Sequence, residues 1–364
     1  IMSTLKVDTL KNGSSGSIDF PQNLKIGGNG VIQGYTSSST EPSSPAAGDY
    51  WWDSSNEELY RYVNGEFKKL TVKAPGVFGD RGFSIGAQSP TNQIGYWSMT
   101  SAGNAADFGD LNFNTQNAPA CSDGTYIYAL DYVNVNIDYF ASATTGNATD
   151  FGDQRFGNTK EGCMESDGTI AVQMHGKSNN SVTSSIDKFA VGTAGVTAVA
   201  FGGTSTISNR ILCASFANAE RMMTVAGCES DYNPQYNACE YITFATESNA
   251  TDAGDLTVAR YSPAGAGTGE GSIGLAAGGY SSSASNTIDR KDITTTSNAT
   301  DHGDLNVTSY YLGGCANGTK AHFFGGYNTN RIEQTDLATA GNGTDFGDLI
   351  ALKYYVQGTS GAAS

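Results

Sequence analysis

One nine-residue phrase returns along most of this chain, and it sets the architecture before any other feature is considered. It reads Gly103-Asn104-Ala105-Ala106-Asp107-Phe108-Gly109-Asp110-Leu111, with near copies over 146–154, 248–256, 297–305 and 341–349. A worn copy spans 195–204, where Phe201-Gly202-Gly203 stands for Phe-Gly-Asp. The six copies are spaced by roughly 43 to 53 residues, the length of one small supersecondary unit. A unit of this size cannot bury its apolar face alone, so neighbours must stack along or around an axis. The chain is an array.

Composition gives the array its secondary structure. Glycine is abundant (46), proline scarce (8), and Tyr (19) and Phe (16) are frequent. Short Val/Ile/Tyr/Phe runs bounded by Gly, Asn, Asp and Ser read as many short strands, so the class is all-β. The net charge of −16 lies almost wholly beyond residue 73, since residues 1–73 hold eight acids against seven bases. Ten of the acids are the paired aspartates of the intact phrases: Asp107/Asp110, Asp150/Asp153, Asp252/Asp255, Asp301/Asp304 and Asp345/Asp348. Such a chain is not expected to bind nucleic acid, which needs a basic surface to displace counterions. No apolar run approaches the length of a membrane span, so no membrane insertion is expected. No signal-peptide pattern is visible at the start, and Met2 reads as the translation start.

Three textures precede the array. Residues 1–35 carry short alternating runs broken by glycine, too few to fold as a monomer, and suit an attachment or oligomerisation segment. Residues 36–47 are a Ser/Pro/Thr linker. Residues 48–73 carry Tyr50-Trp51-Trp52, the run 59–63 and Phe67, turned at Ser55-Asn56 and Asn64-Gly65, and read as a small aromatic three-stranded meander. The array then occupies 74–364.

Within it the first unit opens at Gly82-Phe83-Ser84 without the Leu-x-x-x-Arg segment that precedes the glycine strand elsewhere (256–261, 305–310). The chain ends with the missing piece, 349–356, which predicts a strand that closes a ring of six blades and leaves no long sheet edge. Cys121, Cys163, Cys213 and Cys315 fall at about the same point of the repeat. Equivalent positions in different blades should lie far apart, so these thiols are expected to be buried singly. Cys228 and Cys239 are the pair placed to meet across a hairpin.

The order Arg, small or Cys, Asn/Asp-Gly-Thr, apolar strand, Gly-Gly, Asn-x-Ile, Thr, aromatic resembles the kelch repeat, with Phe108, Phe151, Phe201 and Phe346 in the slot that kelch proteins give to Trp. The resemblance covers 77–364 and implies a six-bladed kelch-like β-propeller. Repeats of the Gly-Asn-Ala-Thr-Asp-Phe-Gly-Asp-Leu type also resemble those of tail-fibre-like proteins of marine phages, cyanophages in particular. The opening Met2-Ser3-Thr4-Leu5-Lys6-Val7-Asp8-Thr9-Leu10 and the piece Pro45-Ala46-Ala47-Gly48-Asp49-Tyr50-Trp51-Trp52-Asp53 are similar to phage tail-fibre modules.

The Asp-x-Gly-Asp pairs suit a hard cation such as calcium, but a motif repeated five times reads as scaffold: tight turns in which Asp accepts backbone N–H bonds and Gly supplies positive φ. No cofactor is expected. The histidines form no cluster, and neither a nucleophile elbow nor a phosphate loop is present, so the chain is read as a non-enzyme. Binding should use loops that vary between blades. The longest insertion, 229–237, offers Asp231, Tyr232, Asn233 and Tyr236, residue types suited to a sugar or peptide.

The resemblance implies a structural virion protein, a tail fibre or similar appendage. It would attach to other virion proteins through its N-terminus as a homo-oligomer, a trimer being favoured, and bind a host-surface glycan or protein. The alternatives are a cellular or secreted kelch-type interaction module and, third, a propeller glycosidase.

Overall fold

The computed structural model describes residues 24–26, 30–32, 35–46, 49–53, 58–63, 66–69, 79–157, 159–179, 181–267, 269 and 271–361. The chain divides into two compact units, Ile1–Lys73 and Ala74–Ser364. Among the described residues no helix is long and apolar enough to cross a membrane.

In the first unit Leu24–Ile26 pairs antiparallel with Gly30–Ile32. A separate four-stranded sheet runs Tyr35–Ser38, Tyr50–Asp53, Glu58–Val63 and Glu66–Lys69. Its first pair is parallel, so the start of the Ser/Pro linker adds a fourth strand to the expected meander. Trp51 is buried within this unit, edge-on to Phe67 at 5.4 Å, with its indole N–H donating to the Ser38 carbonyl at 3.2 Å. The runs 5–10 and 17–20 and the Ser55-Asn56 and Asn64-Gly65 turns lie outside the described residues.

The second unit is a six-bladed β-propeller. Each blade is an antiparallel sheet; for blade 5 the strands run from the axis outward as Ala264–Gly267, Ile273–Ala277, Thr287–Asp292 and Thr300–Asp304. The innermost strands touch one another in a closed cycle around the axis. Blade 1 takes its innermost strand from the far end of the chain, Gln357–Gly361, which pairs with Arg81–Ile85. The ring therefore closes as expected, but through 357–361; residues 349–356 form the connector that leads into it, and 256–261 and 305–310 are connectors too. The leucine of such a segment (Leu256, Leu305, Leu349) is buried, which gives it the apolar signature of a strand without strand pairing.

Each blade-to-blade interface holds one apolar cluster. Phe83, Ile94 and Phe108 of blade 1 meet Ile127 and Phe140 of blade 2, and Leu275 and Ile288 of blade 5 meet Phe323 of blade 6. The aromatic slot of the repeat phrase plugs this interface in every blade: Phe108, Phe151, Phe201, Ala253, His302 and Phe346 are all buried.

The phrase itself is an outermost strand rather than a tight turn, and it clasps one blade to the next. The backbone N–H groups of Asp110, Thr204, Asp255, Asp304 and Asp348 donate to the Asn side chains that open the next phrase, Asn147, Asn249, Asn298, Asn342 and Asn104, at 2.9–3.1 Å. The last of these joins blade 6 to blade 1. Between blades 2 and 3, where Val196 replaces the asparagine, a short parallel pairing with Gly152 and Asp153 substitutes. The phrase needs its glycine because the next blade sits against it: a Cβ on Gly109 would lie 2.2 Å from the Gly146 carbonyl oxygen, and one on Gly347 2.2 Å from that of Gly103. The side chains of Asp107, Asp150, Asp252, Asp301 and Asp345 point to solvent, although Asp252 and Asp301 each also accept the N–H of the phrase glycine.

The cysteines correct one expectation. Cys163 and Cys213 are not far apart; their sulfurs lie 2.8 Å from each other, across the boundary of blades 3 and 4. Neighbouring blades converge at the axis, so positions near it approach closely even when some fifty residues separate them. Cys228 and Cys239 do not pair with each other: Val225 stands opposite Cys239, and Cys228 bridges to Ile211 and Gln235. All six cysteines are free thiols.

Candidate functional site

The connectors between blades and the loops between second and third strands emerge on the same propeller face, because adjacent strands are antiparallel. Each connector reaches the axis and turns into the next innermost strand at one residue: Asn117, Glu161, Leu212, Ser262, Tyr311 and Tyr355. All six have left-handed backbone angles, φ from 51° to 65°. Their amides form a closed cycle in which each N–H donates to the carbonyl of the preceding member, at 2.7–3.1 Å, and Asn117 completes it by donating to Tyr355. This ring ties all six blades together at the axis.

Two residues before the ring, buried cations anchor two of the connectors. Arg260 pairs with Asp289 at 2.7 Å and donates to the Ala276 carbonyl. Arg210 pairs with Glu240 at 3.2 Å and donates to the carbonyls of Ala226 and Ala238. Burial alone would raise the Glu240 carboxyl, but His175 at 2.6 Å, Arg210 and Thr206 hold it far below the usual carboxylate range.

The residue between anchor and ring is tyrosine in three successive connectors: Tyr261, which is buried, and Tyr310 and Tyr354, which are half-buried. With ring residues Tyr311 and Tyr355 and loop residues Tyr232, Tyr280 and Tyr327, they make a continuous aromatic surface. Its contacts run from Tyr232 to Tyr261 (5.3 Å between ring centroids), Tyr261 to Tyr280 (5.4 Å), Tyr280 to Tyr310 (5.1 Å) and Tyr310 to Tyr327 (5.1 Å, stacked). It continues from Tyr327 to Tyr354 (6.0 Å) and Tyr354 to Tyr355 (5.6 Å), with Tyr311 stacked on Tyr355 at 3.8 Å. Reciprocal backbone bonds between Tyr261 and Tyr280, and a bond from Tyr327 N–H to the Tyr310 carbonyl, fix loops to connectors. Tyr232 (46% exposed) and Tyr327 (47%) present open ring faces. Burial raises the phenols of Tyr261 (to about 12), Tyr310, Tyr311 and Tyr355, so these stay neutral hydroxyls. The opposite sector of the face is charged, with Lys177 paired to Glu161 at 2.7 Å.

Of the residues singled out from sequence, Tyr232 belongs to this surface. Asp231 and Asn233 are exposed at the loop tip, where Asp231 accepts the Asn233 N–H at 3.4 Å. Tyr236 supports the loop from beneath by donating to Glu229 at 2.8 Å. Tyr280 opens the loop 280–286, which a search by loop length also picks out as a weaker candidate; the other six tyrosines escaped that search. For five of them the signal was the Arg260-Tyr261-Ser262, Tyr310-Tyr311 and Tyr354-Tyr355 pieces, at equivalent points of three repeats.

Below the ring, the innermost strands enclose an axial cavity of about 110 Å³, lined by Glu165, Cys163, Cys213 and Ser215 among others. That is room for a few waters, so a larger ligand must engage the outer face. Burial raises the Glu165 carboxyl to about 7, against the opposing effect of the Ser215 hydroxyl at 2.8 Å. Among the described residues no group of three or more His, Cys, Asp or Glu is placed to hold a metal ion. The chain matches no known family profile and no curated protein.

Proposed function

We propose that this chain is a structural, non-enzymatic component of a phage virion, a tail fibre or similar appendage, and that its tyrosine face binds a host-surface saccharide or protein. The observation that carries the binding part is the continuous tyrosine surface. Aromatic faces stack on the C–H faces of sugars and on apolar side chains, while phenol hydroxyls supply hydrogen bonds at little entropic cost. The surface is built from connectors and loops that differ between blades, on a scaffold whose remaining parts repeat. The virion part rests on the resemblance of the repeats and of the N-terminal pieces to phage tail-fibre modules. In this reading residues 1–73 attach to the particle and trimerise.

The test is binding of the full chain to extracted surface polysaccharide and to whole cells of candidate marine hosts. It compares wild type with Tyr232→Ala, Tyr327→Ala and Tyr354→Ala. Losing one aromatic platform costs about 1 kcal/mol, or about fivefold in Kd, so the triple variant should bind on the order of a hundredfold more weakly. Undiminished binding by the triple variant would refute the tyrosine face as the site. Cryo-electron microscopy of native particles tests the other half: a propeller found on no particle favours a cellular interaction module, with the same surface receiving a partner peptide.

A further inference from the structure

Cys163 and Cys213 are set apart from the other thiols by position. Counted from the ring residue of each connector, Cys121 (after Asn117) and Cys315 (after Tyr311) come fourth, Cys163 (after Glu161) second and Cys213 (after Leu212) first. The early positions sit where blades 3 and 4 converge; Cys163, Cys213 and Cys315 all line the axial cavity, but it is the Cys163 and Cys213 sulfurs that meet, 2.8 Å apart. Cys213 is half-buried, while Cys121, Cys228, Cys239 and Cys315 are buried. Of those four, Cys315 rests against the Met99 sulfur at 3.9 Å, and Cys239 against the Asn237 carbonyl at 3.9 Å.

We propose that Cys163 and Cys213 form a redox-active pair that a small hydroperoxide entering the axial cavity oxidises to an interblade disulfide. The Cys213 thiolate attacks one oxygen of hydrogen peroxide, breaking the O–O bond to give Cys213 sulfenic acid and hydroxide. The Cys163 thiol gives its proton to that hydroxide, making water. Its sulfur then displaces the sulfenic oxygen, which leaves as hydroxide and takes up a proton as a second water. In sum, two thiols and one peroxide give one disulfide and two waters, with both sulfurs oxidised and the peroxide reduced. The surroundings favour Cys213 as the attacking sulfur. Burial raises its thiol, but the Cys163 contact, with His175 and Arg210 behind it, overrides that and brings it to about 6, whereas burial pushes Cys163 well up. Glu240 opposes this effect on Cys213, and Glu165 adds to the rise at Cys163. Burial also raises Cys228 and Cys239 to about 12 and pushes up Cys121 and Cys315, so the thiolate, the reactive form, is concentrated at one site.

The disulfide would close a loop over a sequence separation of 50 residues and link neighbouring blades at the axis, so oxidation should raise Tm by roughly 5 °C. The experiment treats the reduced full chain with stoichiometric hydrogen peroxide, then counts thiols in denaturant, measures intact mass and maps peptides. The expected result is a fall from six thiols to four, a loss of about 2 Da, a Cys163–Cys213 crosslink and a higher Tm, all reversed by dithiothreitol. Cys163→Ser should stop at Cys213 sulfenic acid, trapped by dimedone, with no change in thiol-linked Tm. Retention of all six thiols, a crosslink through any other cysteine, or direct passage of wild-type Cys213 to sulfinic acid would overturn the proposal.

Discussion

Lys353 gives the sharpest test of the packing logic. It occupies the anchor position filled by Arg210 and Arg260 in other connectors, two residues before the ring, and is 3% exposed. Those arginines meet a third-strand carboxylate, Glu240 or Asp289, which stands across the sheet from the first aspartate of the phrase. In blade 1 the residue in that register, opposite Asp107, is Gly95. The Lys353 ammonium therefore has no hydrogen-bond partner among the described residues. Burial lowers its pKa from 10.5 to about 8, with Asp107 pulling weakly the other way. At about 1.4 kcal/mol per decade, that gap corresponds to about 3 kcal/mol. Because the folded-state value is depressed, the full cost is borne below pH 8 and fades as pH rises to 10.5. Lys353→Met keeps the volume and removes the charge. It should stabilise the protein by about 3 kcal/mol at pH 7 and by much less at pH 10. Urea unfolding of both proteins at the two pH values measures this, and the difference between them cancels the tyrosines and cysteines, which titrate alike in each. A variant no more stable than wild type at pH 7, or an advantage independent of pH, would refute the reasoning. Gly95→Asp, which supplies the missing carboxylate once the Ser84 hydroxyl, 2.6 Å from the new Cβ, turns away, should remove the same pH dependence.

The clasp predicts that Gly109→Ala destabilises by at least about 2 kcal/mol, since the neighbouring backbone cannot yield 1 Å, whereas Asn342→Ala costs about 1 kcal/mol for one lost bond; thermal unfolding ranks them. At the closing boundary Trp97 Nε1–H donates to His322 Nδ1 at 2.9 Å, which requires neutral imidazole, and burial lowers His322 to about 3. Stability should therefore fall by about 1.4 kcal/mol per pH unit as pH drops from 6.5 toward 3, and His322→Met should flatten that slope in urea melts. At the axial ring Ser262→Val should cost about 2 kcal/mol, because a β-branched residue resists left-handed angles, while Ser262→Gly should be nearly neutral by the same assay.

Much of the scaffold is legible in the chain as written. The recurring phrase announces six units and complementary ends announce a ring, but the phrase itself reads as a tight turn and proves to be an outermost strand with one buried plug. Each of these is a property of residues within one repeat, where local spacing decides which side chain faces the core. The first strand of each blade was harder to place, because Leu349 and Leu256 are buried like strand residues yet belong to connectors. The tyrosine face, the axial ring, the asparagine clasp and the Cys163–Cys213 contact were decided only by the closed three-dimensional arrangement. They join residues of different blades, and which ones meet depends on angle and depth around the axis. A difference of two or three residues in distance from the ring brings Cys163 and Cys213 into contact at the axis, while the Cys315 sulfur packs against Met99 and Cys121 joins the cluster of Tyr128 and Phe151. Repeat periodicity carries no record of that offset; only closure of the ring converts it into contact.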